Sequence, residues 1–271
     1  MSTNKREVPL PKDAGNVLDV MDSFIQIVRI LRTDCPWDRE QTHESISHLL
    51  IEEAYETLDA ISEKNDKEFA KELGDLLLHV VMHSVLAEER GAFAFIDVIK
   101  NVSAKLVHRH PHVFGDDNID NADEVIKNWE SQKMKEGRKS ILEGVPKHIP
   151  ALLKAQRMQE KASNVGFDWY NKHDVWNKVD EEYSELKAEL DAGDKEKIND
   201  EFGDFMFALV NAARFENIVA EEALNGTNKK FKRRFEFIEQ RAKEDGKVLK
   251  EMSLQDMDEY WNEAKRNESI S

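Results

Sequence analysis

The chain has 271 residues, 35% of them charged and 40% hydrophobic, and a formal net charge of −16. This composition is typical of a globular protein with one or two domains and excludes a disordered chain. The negative charge argues against binding to DNA or RNA, which requires a basic surface, and the single cysteine, Cys35, excludes an intramolecular disulfide.

The first twenty residues are predicted to form a polar extension (residues 1–20). Its start, Met1 to Asn16, lacks the apolar core of a signal peptide. The most apolar stretch, Leu76 to Ala87, is too short to span a membrane and is interrupted by His79 and His83. We therefore expect a cytoplasmic protein without membrane contact.

The first informative pattern is acidic and helical. Glu52-Glu53-Ala54-Tyr55-Glu56 is followed, after fifteen residues, by Glu72-Leu73-Gly74-Asp75. Apolar residues recur here at helical spacing, and Lys64-Asn65-Asp66 is a turn signal between the two parts. The pattern predicts two helices that form a hairpin. The helical spacing is carried by Ile51, Ala54, Tyr55 and Leu58 in the first helix, and by Phe69, Leu73, Leu76, Leu77 and Val80 in the second.

The same pattern occurs a second time with the same gap of fifteen residues. Glu181-Glu182-Tyr183-Ser184-Glu185 precedes Glu201-Phe202-Gly203-Asp204, and Asp191-Ala192-Gly193-Asp194 is the turn signal between them. One such acidic motif arises easily by chance in this composition, whereas two at equal spacing do not. The helical spacing of this copy is carried by Val179, Tyr183, Leu186 and Leu190, and then by Phe202, Phe205, Leu209 and Ala212.

Other anchors recur at an offset of roughly 125 to 132 residues, which indicates duplication of a whole domain rather than a solenoid. Pro36-Trp37-Asp38 parallels Gly166-Phe167-Asp168, and Trp129 parallels Trp261. We predict an all-α protein of two tandem helical domains, residues 21–136 and 151–267, joined by a linker at 137–150.

Each hairpin places a Glu-x-x-Glu face opposite a Glu-x-x-Asp face, because residues three apart share one side of a helix. Four converging carboxylates favour a hard divalent cation, Mg²⁺ or its substitute Mn²⁺, which commonly binds phosphates as well. The candidate metal ligands are Glu53, Glu56, Glu72 and Asp75 in the first copy, and Glu182, Glu185, Glu201 and Asp204 in the second.

Gly74 and Gly203 lie inside the Glu-x-x-Asp motifs, where glycine costs a helix about 1 kcal/mol relative to alanine. Close approach of a helix or a ligand would offset that cost, and a packing role within the chain is equally open.

The acidic, basic and aromatic residues also have three other interpretations. The acidic residues could be solvated helix faces, although duplication makes this reading weak. A di-iron site would need Glu-x-x-His on two helices, and this motif occurs only from Glu40 to His43, outside the clusters. Basic residues near Lys230 could contact phosphates, and Trp129 and Trp261 could stack on a base, or each could be structural.

At these motifs the chain resembles the MazG family of all-α nucleoside triphosphate pyrophosphohydrolases, whose signature is Glu-Glu-x-x-Glu followed by Glu-x-x-Asp. Both copies match it, and the likeness covers nearly all of the chain from about Val20 to Asn267. The resemblance implies Mg²⁺-dependent hydrolysis of nucleoside triphosphates to monophosphate and pyrophosphate, with broad base specificity and a role in nucleotide-pool house-cleaning or regulation. It also implies a homodimer in which helices of both chains form a four-helix active site, and it makes the second domain the main catalytic candidate.

The resemblance also implies residue roles. Nucleotide contacts would come from the segment before the second cluster, from the start of the helix after it, and from a basic run near the C-terminus. These residues are Lys178, Val179, Asp180, Glu181, Glu182, Lys197, Ile198, Asn199, Asp200, Asp204, Lys230, Phe231, Lys232, Arg233, Arg234 and Trp261.

The mechanism is a hypothesis: Glu181 deprotonates the attacking water, and Lys230, Arg233 and Arg234 stabilise the departing pyrophosphate. Two other functions stay open. One is a dimeric helical interaction protein with a structural cation. The other is a narrower enzyme, such as a dUTP- or dCTP-specific pyrophosphatase or a phosphoribosyl-ATP pyrophosphohydrolase.

Overall fold

A computed structural model describes residues 6–115, 121, 124–125 and 140–268. The chain divides into two compact units, unit 1 (Met1–Asn118) and unit 2 (Ile119–Ser271). Throughout the described ranges the regular structure is helical, without a β-strand. The prediction of an all-α fold is confirmed.

Unit 1 contains six of the described helices. They are α1 (Val17–Asp34), α2 (Pro36–Glu40), α3 (Ser47–Ser62), α4 (Asp66–Glu89), α5 (Phe95–Arg109) and α6 (Pro111–Phe114). α1 begins within the segment predicted as a polar extension, because the Asn16 side chain caps it by accepting from the backbone N–H of Leu18 at 2.9 Å.

The α3–α4 hairpin follows from its turn residues. Lys64 adopts a positive φ of 54° between the helices, and the Asn65 side chain caps α4 by accepting from the N–H of Glu68. α4 packs against both α1 and α3. The core of unit 1 is formed by Val28, Ile46, Val81, Met82, Val85 and Leu86.

Unit 2 begins its described helices after Pro150. They are α7 (Ala151–Ser163), α8 (Lys172–Ala192), α9 (Lys195–Phe215), α10 (Ala220–Glu244) and α11 (Leu254–Glu268), with a 3₁₀ turn at Leu249–Glu251. The α8–α9 hairpin turns at Gly193, whose φ of 78° suits glycine. Asp194 then caps α9 by accepting from two backbone N–H groups. The sequence predicted this turn.

Two small cores hold unit 2 together. Val175, Val179, Ala208 and Ala212 pack between α8 and α9. Ile238, Ala242 and Tyr260 pack between α10 and α11. α7 crosses both α9 and α10, and the Gln156 side chain accepts from the N–H of Ala220 at the start of α10.

The boundary between the two compact units falls at residues 118 and 119, ahead of the predicted linker. Residues 137–139 of that linker, and Trp129, lie outside the described residues. Leu142, inside the predicted linker, lines a cavity of unit 2. The boundaries proposed from the sequence stay predictions. None of the described helices combines the length and apolarity needed to cross a membrane.

Part of the apolar surface of each hairpin is exposed within its own unit's described residues. In α3 and α4, Ile51, Leu58 and Leu73 are 57%, 51% and 47% exposed. In α8 and α9, Tyr183, Leu190, Phe202 and Leu209 are also exposed. Helical periodicity identifies an apolar face but not what covers it, and each of these faces is left open by its own unit's described residues.

Candidate active site

The carboxylates of unit 2 converge where α8 and α9 face each other. Glu182, Glu201 and Asp204 each place a carboxylate oxygen within 4.8 Å of the others. Glu185 forms a second such group with Glu181 and Glu182. The structure therefore brings together the four predicted ligands of this copy, and the group could hold a metal ion.

The electrostatics of this cluster are those of crowded like charges. Partial burial raises the pKa of Glu201, and the charges of Glu185, Asp204 and Glu182 raise it further. Lys178 supplies one compensating charge, with Nζ at 2.7 Å from Glu181 and 2.5 Å from the buried Glu182. These contacts raise the pKa of Lys178, which keeps it protonated.

The cluster of unit 1 is formed by the corresponding residues of its own hairpin. Glu53, Glu72 and Asp75 place oxygens within 4.8 Å of one another. Glu56 lies close enough that the Glu72 charge raises its pKa. Glu72 is 4% exposed, and Lys71 holds its Oε1 at 2.8 Å and lowers its pKa. Among the described residues its buried Oε2 has no hydrogen-bond partner.

The two motif glycines are not explained by packing within the chain. A Cβ built on Gly74 or Gly203 would meet no described atom within 4 Å. The packing explanation is therefore wrong for the single chain, and close approach by a ligand or a second chain stays open.

We expect Gly203→Ala to stabilise unit 2 by about 1 kcal/mol, because alanine is the better helix former and has room here. If a ligand or second chain approaches Gly203, the same variant loses activity or assembly despite its higher stability. Denaturant unfolding and an activity assay on the same preparation separate the two effects. Gly226→Ala, at an equally open helical glycine of α10, is the matched control.

A cavity of about 610 Å³ adjoins the carboxylates of unit 2. It is lined by the charged residues Lys178, Glu182 and Asp204 and by the apolar residues Phe167, Trp169, Phe207 and Ala208, among others. This volume lies within the range of small-molecule sites. Glu182 and Asp204 thus belong both to the carboxylate cluster and to the lining of this cavity.

Polar groups in this cavity were not found from the sequence. Gln159, 8% exposed, donates from Nε2 to the Phe207 carbonyl at 2.9 Å and leaves Oε1 without a described partner. Arg214 forms a two-point contact with Asp168, at 3.0 and 2.5 Å, and also donates to Asn211. The pair of Asp168 and Arg214 fixes the Gly166–Trp169 loop at the cavity wall.

The cavity of unit 1 has different walls. It measures about 630 Å³ and is lined by His43, His79, His83 and neighbouring residues, but not by Glu53, Glu72 or Asp75. Of these two cavities, the one in unit 2 is lined by carboxylates of its acidic cluster and the one in unit 1 is not.

The basic run of α10 is directed towards α11. Arg233 and Arg234 both pair with Glu268, at 2.6 and 2.7 Å, and lower its pKa to about 2, Arg234 more than Arg233. Arg234 also lies over the Trp261 ring at 5.3 Å, and Phe231 contacts the same ring. Sequence reasoning missed Glu268 as their shared partner.

The other predicted contact residues lie along α8 and α9. Asp180, Glu181, Lys197, Asn199 and Asp200 are exposed, and Ile198 is half-buried. Lys230 and Lys232 on α10 are exposed as well. Val179 is only 6% exposed and packs in the core, so its side chain is not available to a ligand.

The fold and the site define an all-α protein with a duplicated, carboxylate-rich helical hairpin. The model of the MazG nucleotide pyrophosphohydrolase domain matches residues 41–114 and 172–237, one segment in each unit. The chain belongs to this family.

Three related proteins match most of this chain. The nucleoside triphosphate pyrophosphohydrolase/pyrophosphatase MazG of Thermotoga maritima is 44% identical, over 94% of this chain and 98% of its own length. The nucleoside triphosphate pyrophosphohydrolase of Escherichia coli K12 is 40% identical over 93% of this chain and 98% of its own. The uncharacterized protein YabN of Bacillus subtilis is 47% identical over 97% of this chain, which spans 55% of that longer protein.

Proposed function

We propose that the protein hydrolyses nucleoside triphosphates to nucleoside monophosphate and pyrophosphate, with Mg²⁺ as cofactor. The observation that carries this proposal is the sharing of Glu182 and Asp204 between the carboxylate cluster and the cavity of unit 2. A triphosphate bound at the cluster would place its nucleoside in an adjoining chamber of suitable size. The names of the full-length relatives support the same reaction.

The donor set suits a hard divalent cation. Every candidate ligand is a carboxylate, which favours Mg²⁺ or Mn²⁺ over softer ions. Like charges raise the pKa of Glu201 and Glu53 beyond the effect of burial, so a cation would relieve repulsion in both clusters. The buried Oε2 of Glu72 in unit 1 has no described hydrogen-bond partner, so a cation would satisfy it. Mg²⁺ held by the unit 2 cluster would neutralise charge on the phosphates and make a bound water more acidic.

The cavity supports broad base specificity. Phe167, Trp169 and Phe207 offer aromatic surface, which accepts any base because every base has a flat apolar face. The unpartnered Oε1 of Gln159 offers one acceptor for an amino or hydroxyl group of the nucleoside. A single acceptor does not by itself distinguish the common bases.

The chain's own residues have assigned roles in the proposal. Glu181, exposed beside the cluster and paired with Lys178, accepts a proton on its carboxylate from the attacking water. Lys178 remains protonated and offsets charge near the phosphates. Arg233 and Arg234 stabilise the departing pyrophosphate; Glu268 holds both guanidinium groups in place, and Trp261 also contacts that of Arg234.

The active form is proposed to be a homodimer. The open apolar faces of the hairpins, including Leu190 and Met206 in unit 2, are about half exposed in the chain. Faces of this kind on adjacent helices are typical of helix-on-helix interfaces. A second copy covering them would complete a four-helix arrangement around the carboxylates.

We expect the wild type to have twice the 31.4 kDa mass of one chain in light scattering. Leu190→Glu combined with Met206→Glu should weaken the dimer by at least about 100-fold, because it places charges on the apolar face. Ala188→Glu, at an exposed position of the same helix, is the control and should leave the dimer intact. A monomeric wild type, or a double variant that stays dimeric, would contradict this assignment.

Substrate range is tested by measuring pyrophosphate release from ribo- and deoxyribonucleoside triphosphates with Mg²⁺ and with a chelator. The proposal expects turnover of several bases within about tenfold in kcat/KM, and none with the chelator. Preference for dUTP or dCTP by orders of magnitude would replace broad specificity with a selective enzyme. Absence of turnover with every triphosphate would favour a structural cation in a helical interaction protein.

A further inference from the structure

One face of α9 lines the cavity of unit 2, from the carboxylate cluster onwards. The residues of this face recur at helical spacing: Asp204, Phe207, Ala208, Asn211 and Arg214. Asn211 lies about 10 Å beyond Asp204, at 1.5 Å of rise per residue. This length is close to the one that separates the phosphate of a nucleotide from the far edge of its base. A triphosphate bound at Asp204 would therefore bring its base to the level of Asn211.

The side-chain amide of Asn211 is held in one orientation. Its Oδ1 accepts from Nε of Arg214 at 3.0 Å and from Nη2 at 2.8 Å. Because a guanidinium group only donates hydrogen bonds, the amide oxygen has to face Arg214, and Nδ2 is directed away from it. Among the described residues the Asn211 side chain bonds only through this oxygen, so both N–H groups of Nδ2 are left for a ligand in the cavity.

Arg214 is fixed in its turn by the loop at the cavity wall. Its guanidinium contacts the carboxylate of Asp168 at 3.0 and 2.5 Å, and its side chain is 15% exposed. The guanidinium cannot turn away from Asn211 without losing this two-point ion pair. The Nδ2 donor of Asn211 is therefore preformed, which reduces the entropy that a ligand loses in ordering it.

Gln159 provides an acceptor at the same level of α9. Its Nε2 donates to the Phe207 carbonyl at 2.9 Å, and because a carbonyl only accepts, Oε1 is the amide atom left without a described partner. In an α-helix the Phe207 carbonyl also accepts from the backbone N–H of Asn211, four residues further on. The two side-chain amides therefore flank the same turn of α9, one with a donor and the other with an acceptor unused.

The corresponding positions of unit 1 are apolar. The Glu-x-x-Asp motifs of the two hairpins are 129 residues apart, and this offset places Met82 at the position of Asn211 and Val85 at that of Arg214. Met82 and Val85 are buried in the core of unit 1. The polar pair thus occurs in the unit whose cavity is lined by its carboxylates, and core residues replace it in the other unit.

We propose that Asn211 reads the edge of the nucleobase, donating from Nδ2 to a base acceptor while Oε1 of Gln159 accepts from a neighbouring base N–H. This inference rests on the proposed function, which supplies the nucleotide. Every common base has an acceptor beside an N–H donor on its pairing edge, such as O4 and N3–H in uracil or N3 and the 4-amino group in cytosine. One donor and one acceptor of fixed orientation therefore bind any of these bases, which agrees with broad base specificity.

Asn211→Asp tests the donor directly. The carboxylate keeps an oxygen for Arg214 and replaces the N–H donor by a second acceptor oxygen. CTP and UTP are matched substrates, because cytosine has an amino group where uracil has a keto oxygen. The ratio of kcat/KM for CTP to that for UTP should rise at least about tenfold over the wild type, since the new oxygen accepts from the amino group and repels the keto oxygen. The ratio cancels any effect of the added charge on the triphosphate itself.

Asn225→Asp makes the same chemical change at an exposed position of α10 and should leave the ratio unchanged. Asn211→Ala is the second variant. It should raise KM for both nucleotides about tenfold and keep kcat within about threefold, because it removes a binding contact and leaves the carboxylates intact. If circular dichroism shows that one Asn211 variant is unfolded, the other decides.

An unchanged CTP-to-UTP ratio in folded Asn211→Asp, or an unchanged KM in folded Asn211→Ala, would overturn the role of Asn211. Turnover of both nucleotides by the wild type in the same experiment would still support the proposed function. A wild type that hydrolyses neither CTP nor UTP would overturn both proposals together.

Discussion

Glu201→Gln is expected to lower kcat for triphosphate hydrolysis by about 10³-fold or more. Glu201 lies in the cluster with Glu182 and Asp204, and these two residues also line the unit 2 cavity. The amide removes a negative charge that the proposed cation needs, while it keeps the size of the side chain. Burial and the neighbouring carboxylates already raise the pKa of Glu201. Loss of its charge should therefore not lower the unfolding temperature in the absence of Mg²⁺.

The measurement is steady-state kinetics together with thermal unfolding at increasing Mg²⁺. The variant should lose both turnover and the stabilisation that Mg²⁺ gives to the wild type. Glu196→Gln, an exposed change of the same kind on α9, is the control. Wild-type turnover in Glu201→Gln would show that the reaction does not depend on the unit 2 cluster.

The corresponding change in unit 1, Glu72→Gln, distinguishes the two clusters. We expect a loss below about tenfold, because the unit 1 cavity is lined by histidines rather than by the carboxylates. A loss as large as that of Glu201→Gln would mean that both clusters are needed for turnover.

Arg233→Ala is expected to lower kcat/KM by about 100-fold, because it removes a charge proposed to stabilise the leaving pyrophosphate. Its stability cost should be small. The Arg233 side chain is 63% exposed, and Arg234 keeps its own contact with Glu268. Kinetics over a range of ATP concentrations will show whether kcat or KM carries the loss.

Lys243→Ala is the matched control for Arg233→Ala. Lys243 lies further along α10, carries the same charge, is exposed and is not among the residues expected to contact nucleotide. A loss of less than about threefold is expected, since solvent screens such a charge. Equal losses in the two variants would indicate a general effect of positive charge instead of a specific contact.

The local parts of the fold and site could be predicted from the sequence. Spacing within one hairpin placed Glu182 opposite Glu201 and Asp204, and Gly193 with Asp194 marked the turn. Such features depend on residues close along the chain, where helical geometry is fixed. The all-α fold and the family were predicted and are confirmed.

The remaining parts depend on contacts between distant residues. Gln159 and Arg214 reach the cavity from different helices, and Arg233 finds Glu268 only when α10 packs on α11. His79 and His83 interrupted an apolar stretch in the sequence, and His43 joined them only through folding. The exposure of Leu190 and Phe202 was likewise not predictable from their spacing, because periodicity does not distinguish an apolar face in a core from one at an interface.

The most direct test follows ATP and Mg²⁺ with the wild type and Glu201→Gln by phosphorus NMR. The account predicts AMP and pyrophosphate as the products of the wild type, and no conversion on the same timescale by the variant. ADP and inorganic phosphate as products of the wild type would contradict the proposed reaction.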